Sequence, residues 1–515
     1  MTPEQAIQAA LLAPCCGALL VLLFGRWPNV RDTLSVIVGL ATLGFVIVIA
    51  RFHGDDARLS LELLEVLPGL ALAFEVEPLG LVYALVAAGL WPLTSIYAFG
   101  YMRGHNEEHQ TRFFLCFALA IAAALGIAFA RNLFTLFLFY ELLTFSTYPL
   151  VTHAGTEAAK QAGRKYLGIL VSTSVAFLLF AIAWTYASAG TLEFRSGGIL
   201  AGKLDPSLTP VLLLLFAFGI GKAALMPFHK WLPAAMVAPT PVSALLHAVA
   251  VVKAGVFSVV KIVVYVFGID FLRDGDATLW LGYVAAFTIV SASLVALTKD
   301  NLKARLAYST ISQLAYIVLG AALATPAAII GSGMHIAMHA AAKITLFFCA
   351  GAIMVATHKT DVSQMRGLGR RMPVTFGAFF VASLSIIGLP PTGGSWSKFF
   401  LAMGAVDAHH AIFAGVYMLS SLLSIGYLMP VVLRGFFCRP EVGAGHGHGD
   451  HGVHGDHAAH GDHAAHGETG GVHEAPMLCV VPLTITAVYC LLLFYFASDL
   501  YALLAPVVKD GSVGG

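Results

Sequence analysis

The chain has 515 residues, of which 58% are hydrophobic and only 11% are charged. A soluble domain usually carries about a quarter charged residues, so water is not the main solvent of this chain. The net charge of +1 at pH 7 indicates no preference for nucleic acid or for an anionic surface.

Runs of apolar residues recur from Ala6 to Leu504, and about 20 such residues in a helix cross a bilayer core of roughly 30 Å. Backbone groups cannot remain unpaired in lipid, so these runs are predicted to be helices. The sequence thus predicts an all-α polytopic membrane protein with about 14 transmembrane helices. The predicted spans are 6–25, 34–50, 79–100, 112–130, 132–151, 166–187, 209–227, 235–267, 278–298, 304–323, 331–356, 373–391, 411–436 and 477–503.

Positive charge is unevenly distributed among the loops that connect these spans. When the loops are assigned alternately to the two sides, one side holds 17 Lys and Arg residues and the other holds 7. The positive-inside rule predicts that the richer side is cytoplasmic, which places both termini outside. The acidic stretch from Arg51 to Pro78 is then expected to be a solvated connector on the outer face.

One segment, Gly443 to Glu474, breaks the apolar pattern and consists mainly of Gly, Ala, His and Asp. It has no apolar face, so a disordered cytoplasmic loop is expected over residues 437–476. Histidine-rich tracts can bind zinc, nickel or copper weakly, but the irregular spacing favours a solvated linker. The weak candidates for metal ligands are His446, His448, His451, His454, His457, His460, His463 and His466.

Five lysines lie within the predicted spans or at their broken ends: Lys222, Lys253, Lys261, Lys343 and Lys398. A lysine in the middle of a bilayer costs a few kcal/mol by insertion scales, so each needs a partner, a water-filled cavity or a function. Lys261 lies about two helical turns beyond Lys253, and a side chain that extends outward to the interface accounts for it.

Glu141 lies in the segment FYELLTF, near the middle of a predicted span. An isolated carboxylate there would take up a proton or bind a cation. A nearby lysine such as Lys222 would stabilise its charged form, and the two would titrate as a coupled pair. The alternative is a static ion pair that serves helix packing, which apolar residues could often replace without loss of stability.

The segment MHIAMHAAAKITLFF places His335, His339 and Lys343 at positions i, i+4 and i+8. These side chains share one stripe of a helix over about 12 Å. Histidine titrates near neutral pH and can accept a proton on one ring nitrogen while it donates from the other. The stripe therefore predicts a proton relay, whereas a single histidine would more often serve helix contacts.

Two spans carry helix-breaking residues beside a lysine. Prolines interrupt residues 221–257 around Lys222, His247 and Lys253, and the segment GLPPTGGSWSK precedes and includes Lys398. Broken helices at membrane depth occur where they line a cavity or are buried in protein. Two breaks in corresponding positions suggest two inverted five-helix repeats. The predicted units are residues 1–111 for three N-terminal helices, 112–267 and 278–436 for the repeats, 437–476 for the histidine-rich loop and 477–515 for the last helix.

With these motifs the chain resembles the antiporter-like subunits of Mrp-type sodium/proton antiporters (their D and A subunits), respiratory complex I and membrane-bound hydrogenases. The resemblance covers roughly residues 74–437. The motifs that carry it are YELLTFSTYPL, GKAALMPFHKWLPAAMVAPTPVSALLHA, VVKAG, LKARLAYSTISQLAY, HIAMHAAAKITLFFCAG and GLPPTGGSWSK.

The resemblance implies fourteen helices with two inverted repeats, each shaping a half-channel. It implies a bacterial inner-membrane location, other membrane subunits as partners, and protons with Na+ or K+ as the transported ions. It assigns no cofactor and no redox centre to this chain. The residues it implies for the ion pathway are Glu141, Lys222, His247, Lys253, Lys303, His335, His339, Lys343 and Lys398.

The leading hypothesis is monovalent cation/proton antiport of Mrp type within a multi-subunit complex. The same pathway would serve a proton-pumping subunit of an NADH:quinone oxidoreductase or membrane hydrogenase, or a subunit for proton-coupled uptake of inorganic carbon. A purely structural scaffold is disfavoured because it would not need buried charges.

Deletion of Gly445 to Gly471 should leave transport nearly unchanged, because the only apolar residues of the tract are Val453 and four alanines, too few to pack. Proton flux in reconstituted vesicles is the measurement. Loss of a zinc or nickel response of transport in the deletion variant would instead reveal a metal-sensing role.

Overall fold

In a computed structural model of the chain, the structure describes residues 1–54, 59–67, 70–273, 276–439 and 471–509. Within these ranges, twelve helices are long and apolar enough to cross a membrane. They are α1 (Pro3–Leu23), α2 (Pro28–Gly54), α3 (Pro78–Gly104), α4 (Gln110–Ala128), α5 (Leu133–Val151), α6 (Glu157–Ala189), α8 (Thr240–Phe267), α9 (Leu279–Thr298), α10 (Leu302–Leu323), α11 (Pro326–Thr357), α14 (Ala411–Phe437) and α15 (Met477–Tyr495). Shorter helices are α7 (Pro206–Gly219), α12 (Pro373–Ile387), α13 (Gly394–Asp407) and α16 (Ala497–Val508).

The polytopic helical fold predicted from the sequence is confirmed. Every predicted span contains an apolar helix, and the two spans without a long helix are 209–227 and 373–391. These two hold α7 and α12, which end early because the chain breaks at the proline- and glycine-rich segments. The assignment of the helices to two inverted repeats stays a prediction.

The connector between α2 and α3 contains a β-hairpin, which the prediction of a solvated connector missed. Strands β1 (Ser60–Leu67) and β2 (Leu70–Glu75) pair antiparallel. The hairpin lies against the start of α5, because Arg131 N donates to Ala73 O (3.0 Å) and Asn132 Nδ2 donates to Ala71 O (2.8 Å). We call the side of the protein that carries it the hairpin face.

The first break places a lysine in a short turn. α7 ends at Gly219, and Lys222 follows in the 3-10 turn Gly221–Ala223. Trp231 Nε1 donates to Gly221 O at 3.0 Å, and the same carbonyl accepts from Ala224 N at 3.0 Å, so the indole ties the turn to the segment that follows it. Gly255 lets α8 approach this turn, because a Cβ there would overlap the main chain of Lys222 and the next residue.

The second break follows the same principle. α12 ends at Ile387, and Gly388 adopts a left-handed conformation with φ of +92°. A Cβ at Gly388 would lie 2.7 Å from Lys398 Cδ, so the glycine makes room for the lysine side chain. Both breaks therefore combine a helix C-terminus with a buried lysine, as the prolines and glycines predicted.

The histidine-rich stretch and its eight candidate metal ligands lie outside the described residues, so metal binding there stays a prediction. Where the description resumes, Glu474 contacts the start of α12. Its Oε1 accepts from Val374 N at 2.6 Å, and its Oε2 accepts from Thr375 Oγ1 at 2.6 Å. A carboxylate at a helix N-terminus is favourable and fixes the entry to α15.

We expect Gly255→Ala to lower the thermal unfolding temperature, because overpacking typically costs about 1–3 kcal/mol. The matched control is Gly415→Ala in α14, where a Cβ would meet no atom within 4 Å. Unfolding of both variants in detergent is the measurement. Equal stability of the two variants would contradict the close approach of α8 to the Lys222 turn.

Candidate ion pathway

Lys222 is fully buried and is held by α5. Its Nζ donates to Tyr140 O at 2.8 Å and to Thr144 Oγ1 at 2.5 Å, and lies 3.2 Å from the centroid of the Tyr140 ring. Its main-chain N donates to the Tyr140 hydroxyl at 3.1 Å. The turn that follows α7 thus presents the ammonium group to a cradle of oxygen atoms and an aromatic face.

Glu141 does not form the direct pair with Lys222 that the sequence suggested. Among the described residues no ion pair within 4.0 Å joins the two, although the charge of Glu141 acts on Lys222. Both carboxylate oxygens of Glu141 are buried and accept no hydrogen bond from a described residue. The ammonium of Lys222 donates instead to Tyr140 O and to Thr144 Oγ1.

His247 lies in a π-helical turn, Leu245–Val249, inside α8. Such turns often occur at functional sites, because one extra residue in the turn redirects the side chains. Both ring nitrogens of His247 are buried without a hydrogen-bond partner among the described residues. The charges of Lys343, Lys303 and Lys253 all act on it. His247 therefore lies within electrostatic reach of three lysines.

Lys253 and His339 make the one direct contact between ionisable side chains of α8 and α11 in the described chain. Lys253 Nζ lies 2.5 Å from His339 Nδ1. Both side chains are buried. The two groups share one hydrogen, since either the ammonium donates to a neutral imidazole or the imidazole N–H donates to a neutral amine.

The stripe on α11 contacts a different helix at each of its members. His335 Nδ1 lies 2.9 Å from Ser397 Oγ on α13, and the rings of His335 and His339 lie 5.7 Å apart. Lys343 Nζ donates to Ser309 Oγ on α10 at 2.6 Å. No hydrogen bond joins members of the stripe directly within the described residues. The Nε2 atoms of both histidines have no partner there either.

A row of hydroxyl groups holds Lys343. Ser309 Oγ lies 3.0 Å from the Tyr427 hydroxyl, which lies 2.8 Å from Ser424 Oγ. Ser424 Oγ donates to Ser420 O at 2.8 Å. Because the row ends on a carbonyl oxygen, its hydrogen bonds run in one direction away from the lysine. None of these hydroxyls was singled out from the sequence, since serines in apolar helices give no periodic signal.

Lys398 lies where α12 ends. Its Nζ donates to Ile387 O at 3.2 Å and to Ser421 Oγ at 2.9 Å, and lies 4.8 Å from the centroid of the Tyr316 ring. The Tyr316 ring also stacks on His335, with centroids 5.6 Å apart. A positive charge is favourable at a helix C-terminus. Tyr316 thus connects Lys398 to the histidines of α11.

Lys303 lies in the first turn of α10, at the helix end where the sequence placed it. Its Nζ donates to Ala238 O at 2.6 Å, and the charge of Glu107 acts on it. Glu107 Oε1 lies 3.3 Å from His105 Nδ1, and Glu107 Oε2 lies 4.0 Å from His153 Nε2. Burial and the charge of Arg112 lower the pKa of His153 to about 4. A polar cluster thus lies on the face opposite the hairpin.

Lys261 has a partner that the sequence did not indicate. It is buried, and at the hairpin face its Nζ lies 2.5 Å from Glu77 Oε1 and donates to Ala130 O at 2.7 Å. Glu77 belonged to an acidic stretch that was interpreted as a solvated connector. No local signal could have paired it with a lysine so distant in the sequence.

Most of the described lysines that are buried or half-buried in the helices share one type of hydrogen bond. Lys222, Lys261, Lys303, Lys343 and Lys398 each donate to a main-chain carbonyl. Lys253 alone among them contacts an imidazole. Carbonyl oxygens cannot take over a proton, whereas an imidazole nitrogen can. Apart from Lys261, which also lies 2.5 Å from the Glu77 carboxylate, the Lys253–His339 contact is therefore chemically distinct from the others.

The fold and this row of buried ionisable groups define a multi-pass membrane protein with a candidate pathway for ions. A family model described as "NADH:quinone oxidoreductase/Mrp antiporter, TM" matches residues 130–424, and the chain belongs to this family. The resemblance seen in the sequence is confirmed.

Two relatives represent the two branches of this family. The chain is 36% identical to NADH-quinone oxidoreductase subunit N of Desulforudis audaxviator, over 69% of this chain and 71% of that one. It is 27% identical to the D-type subunit of the Na(+)/H(+) antiporter of Alkalihalophilus pseudofirmus, over 83% of this chain and 86% of that one.

Two solved structures share the fold at 22% sequence identity. A chain of the Mrp complex from Dietzia sp. matches with a TM-score of 0.80, covering 99% of this chain and 98% of that one. A chain of the membrane-bound sulfane sulfur reductase, an archaeal respiratory membrane complex, matches with a TM-score of 0.83, covering 98% of each chain.

Proposed function

We propose that this chain is a proton-translocating, antiporter-like subunit of a multi-subunit membrane complex, and we favour monovalent cation/proton antiport of the Mrp type. The contact between Lys253 and His339 carries this proposal. It joins α8 to α11 through two titratable groups that share one hydrogen, 2.5 Å apart in a buried setting. A static structural contact would be better served by apolar side chains of similar volume.

The proposed pathway follows the row of ionisable residues. Glu141 and Lys222 exchange protons near the first break, and His247 with Lys253 continues inward. His339, His335 and Lys343 carry the proton along α11, and Lys398 releases it at the second break. Lys303 connects the pathway to the face that carries Glu107. Because few of these buried cations can be charged at once, arrival of a proton at one favours its release from a neighbour.

Water is the natural carrier between groups that do not touch. The unpartnered nitrogens of His247, His335 and His339 are buried, and buried polar atoms almost always have a hydrogen-bond partner. A polar, roomy path through the protein would let water bond these atoms. Proton transfer along such a path needs no cofactor in this chain.

The loops support one orientation in the bacterial inner membrane. The side richer in Lys and Arg is proposed to be cytoplasmic, which places the histidine-rich loop in the cytoplasm. The hairpin face and both termini then lie on the outer side. The Glu107 cluster would face the cytoplasm and the Glu77 region would face outward.

A second candidate function uses the same pathway in a redox-driven pump. The identity of 36% to a subunit of an NADH-quinone oxidoreductase favours it. Electron transfer would then belong to partner subunits, and this chain would only move protons. Isolation of the native complex separates the two: flavin and iron–sulfur absorbance indicates the pump, whereas their absence together with cation-driven proton flux indicates the antiporter.

Lys253→Ala and His339→Gln should each lower proton flux of the reconstituted complex on the order of a hundredfold, as loss of a proton-transfer group does. The double variant should lose about as much as the worse single one, because the two act as one unit. Lys160→Ala on the exposed side of α6 is the matched control. Multiplicative losses in the double variant would mean that the two residues act independently.

Glu141→Ala and Lys222→Ala should abolish transport without preventing membrane insertion, since each removes a titratable group at the first break. Flux is measured at equal amounts of assembled complex. Near-normal flux in both variants would refute the role proposed for this site.

A further inference from the structure

A buried ion pair lies at the hairpin face, outside the proposed row of pathway residues. Lys261 Nζ and Glu77 Oε1 are 2.5 Å apart, and the side chains are 1% and 15% exposed. Lys261 also lies 4.6 Å from the centroid of the Phe194 ring. The lysine is therefore sealed inside the protein, while the carboxylate reaches partly into solvent.

Glu77 lines a cavity of about 530 Å3 at the hairpin face. Its wall includes Glu77, Phe194 and Arg131, together with His53, Glu75 and Tyr265. The segment of α16 that closes one side contributes only uncharged residues to this wall. Burial raises the pKa of the Glu77 carboxyl, and the charge of Lys261 opposes that shift. Glu77 thus faces water on one side and a buried ammonium on the other.

The surface around Arg131, which adjoins the cavity and is called its rim here, carries net negative charge. Arg131 lies 3.1 Å from Glu193, 3.7 Å from Glu75 and 3.9 Å from Glu62, and Arg195 lies 3.6 Å from Glu193, so two positive charges meet three carboxylates. Such a rim raises the local concentration of protons and cations. Since the Lys261 and Glu77 charges compensate each other, the negative potential of the rim remains.

A path from this pair to the centre runs along α8. Lys253 and Lys261 lie eight residues apart on this helix, about 12 Å along its axis. Between them, Ser258 Oγ is buried without a hydrogen-bond partner among the described residues. A buried hydroxyl without a protein partner indicates contact with water. Ser258 is thus a buried polar group, open to a water partner, on the stretch of α8 between the two lysines.

We propose that Glu77 and Lys261 form the proton-exchange port of the first half of the pathway, which connects Lys253 through Ser258 to the cavity at the hairpin face. Lys261 gives a proton to the Glu77 carboxylate, the N–H bond breaks as the O–H bond forms, and the neutral carboxyl releases the proton to water. The neutral Lys261 amine is then recharged by a proton that leaves Lys253 and passes through Ser258 and water, and the reverse sequence carries a proton from the cavity inward. The inference rests on the proposed proton translocation.

The test compares three variants of the port in the intact reconstituted complex, at equal amounts of assembled protein. Lys261→Met and Glu77→Gln should lower proton flux on the order of tenfold or more. Lys261→Arg keeps the ion pair but cannot release a proton, so it should also lose flux. Glu77→Gln should in addition flatten the dependence of flux on pH in the compartment at the hairpin face only.

Matched controls change the same kinds of group on the same face. Asp270→Asn removes a carboxylate from an exposed pair with Arg273, and Lys203→Met removes a lysine that donates to Ala189 O at 2.9 Å. Both should keep wild-type flux. Wild-type flux in Lys261→Arg would overturn the port and leave the pair as a packing element. If Lys253→Ala also keeps full flux, the proposed translocation fails as a whole, and the port with it.

Discussion

The structure depends on one constraint, which is that a positive charge inside a bilayer needs a polar partner that the surrounding helices do not normally offer. Helix interiors bond all their carbonyls internally, so free carbonyls exist chiefly where a helix ends. Lys398 meets the constraint at such a place, because it donates to the last carbonyl of α12. Lys222 lies in the turn that follows α7, but its Nζ donates to Tyr140 O and Thr144 Oγ1 within α5. The two breaks therefore position both lysines, and the second break also supplies the carbonyl.

Five of the six described lysines that are buried or half-buried in the helices donate to a main-chain carbonyl, and Lys253 is the one that does not. Among the described residues, Lys253 has only the imidazole of His339 within hydrogen-bonding distance of its ammonium group, so the hydrogen between them can belong to either. α11 then acts as a hub, because His335, His339 and Lys343 face three different helices. The three members of the stripe thus have partners on three helices, and the ammonium of Lys222 is bonded by Tyr140 and Thr144. The relay along the stripe and the coupling of Glu141 to Lys222 stay predictions.

The helices and their breaks could be predicted because both are local. Apolar runs of about 20 residues define the spans, and prolines and glycines define the ends of α7 and α12. Contacts between helices could not be predicted, because nothing in the segment around Lys253 states that it meets His339 on another helix. The same limit hid the Glu77–Lys261 pair, since a lysine near a helix end usually extends to the interface. The hairpin was not predicted, because the connector was interpreted only from its acidic residues.

The central claim is that water links the buried imidazoles between Lys253 and Lys398. A cryo-EM map of the intact complex, at a resolution that shows ordered water, tests it most directly. The account predicts density for water within hydrogen-bonding distance of Nε2 of His339 and of His335, and beside both ring nitrogens of His247. A dry contact of these nitrogens with apolar side chains would contradict it.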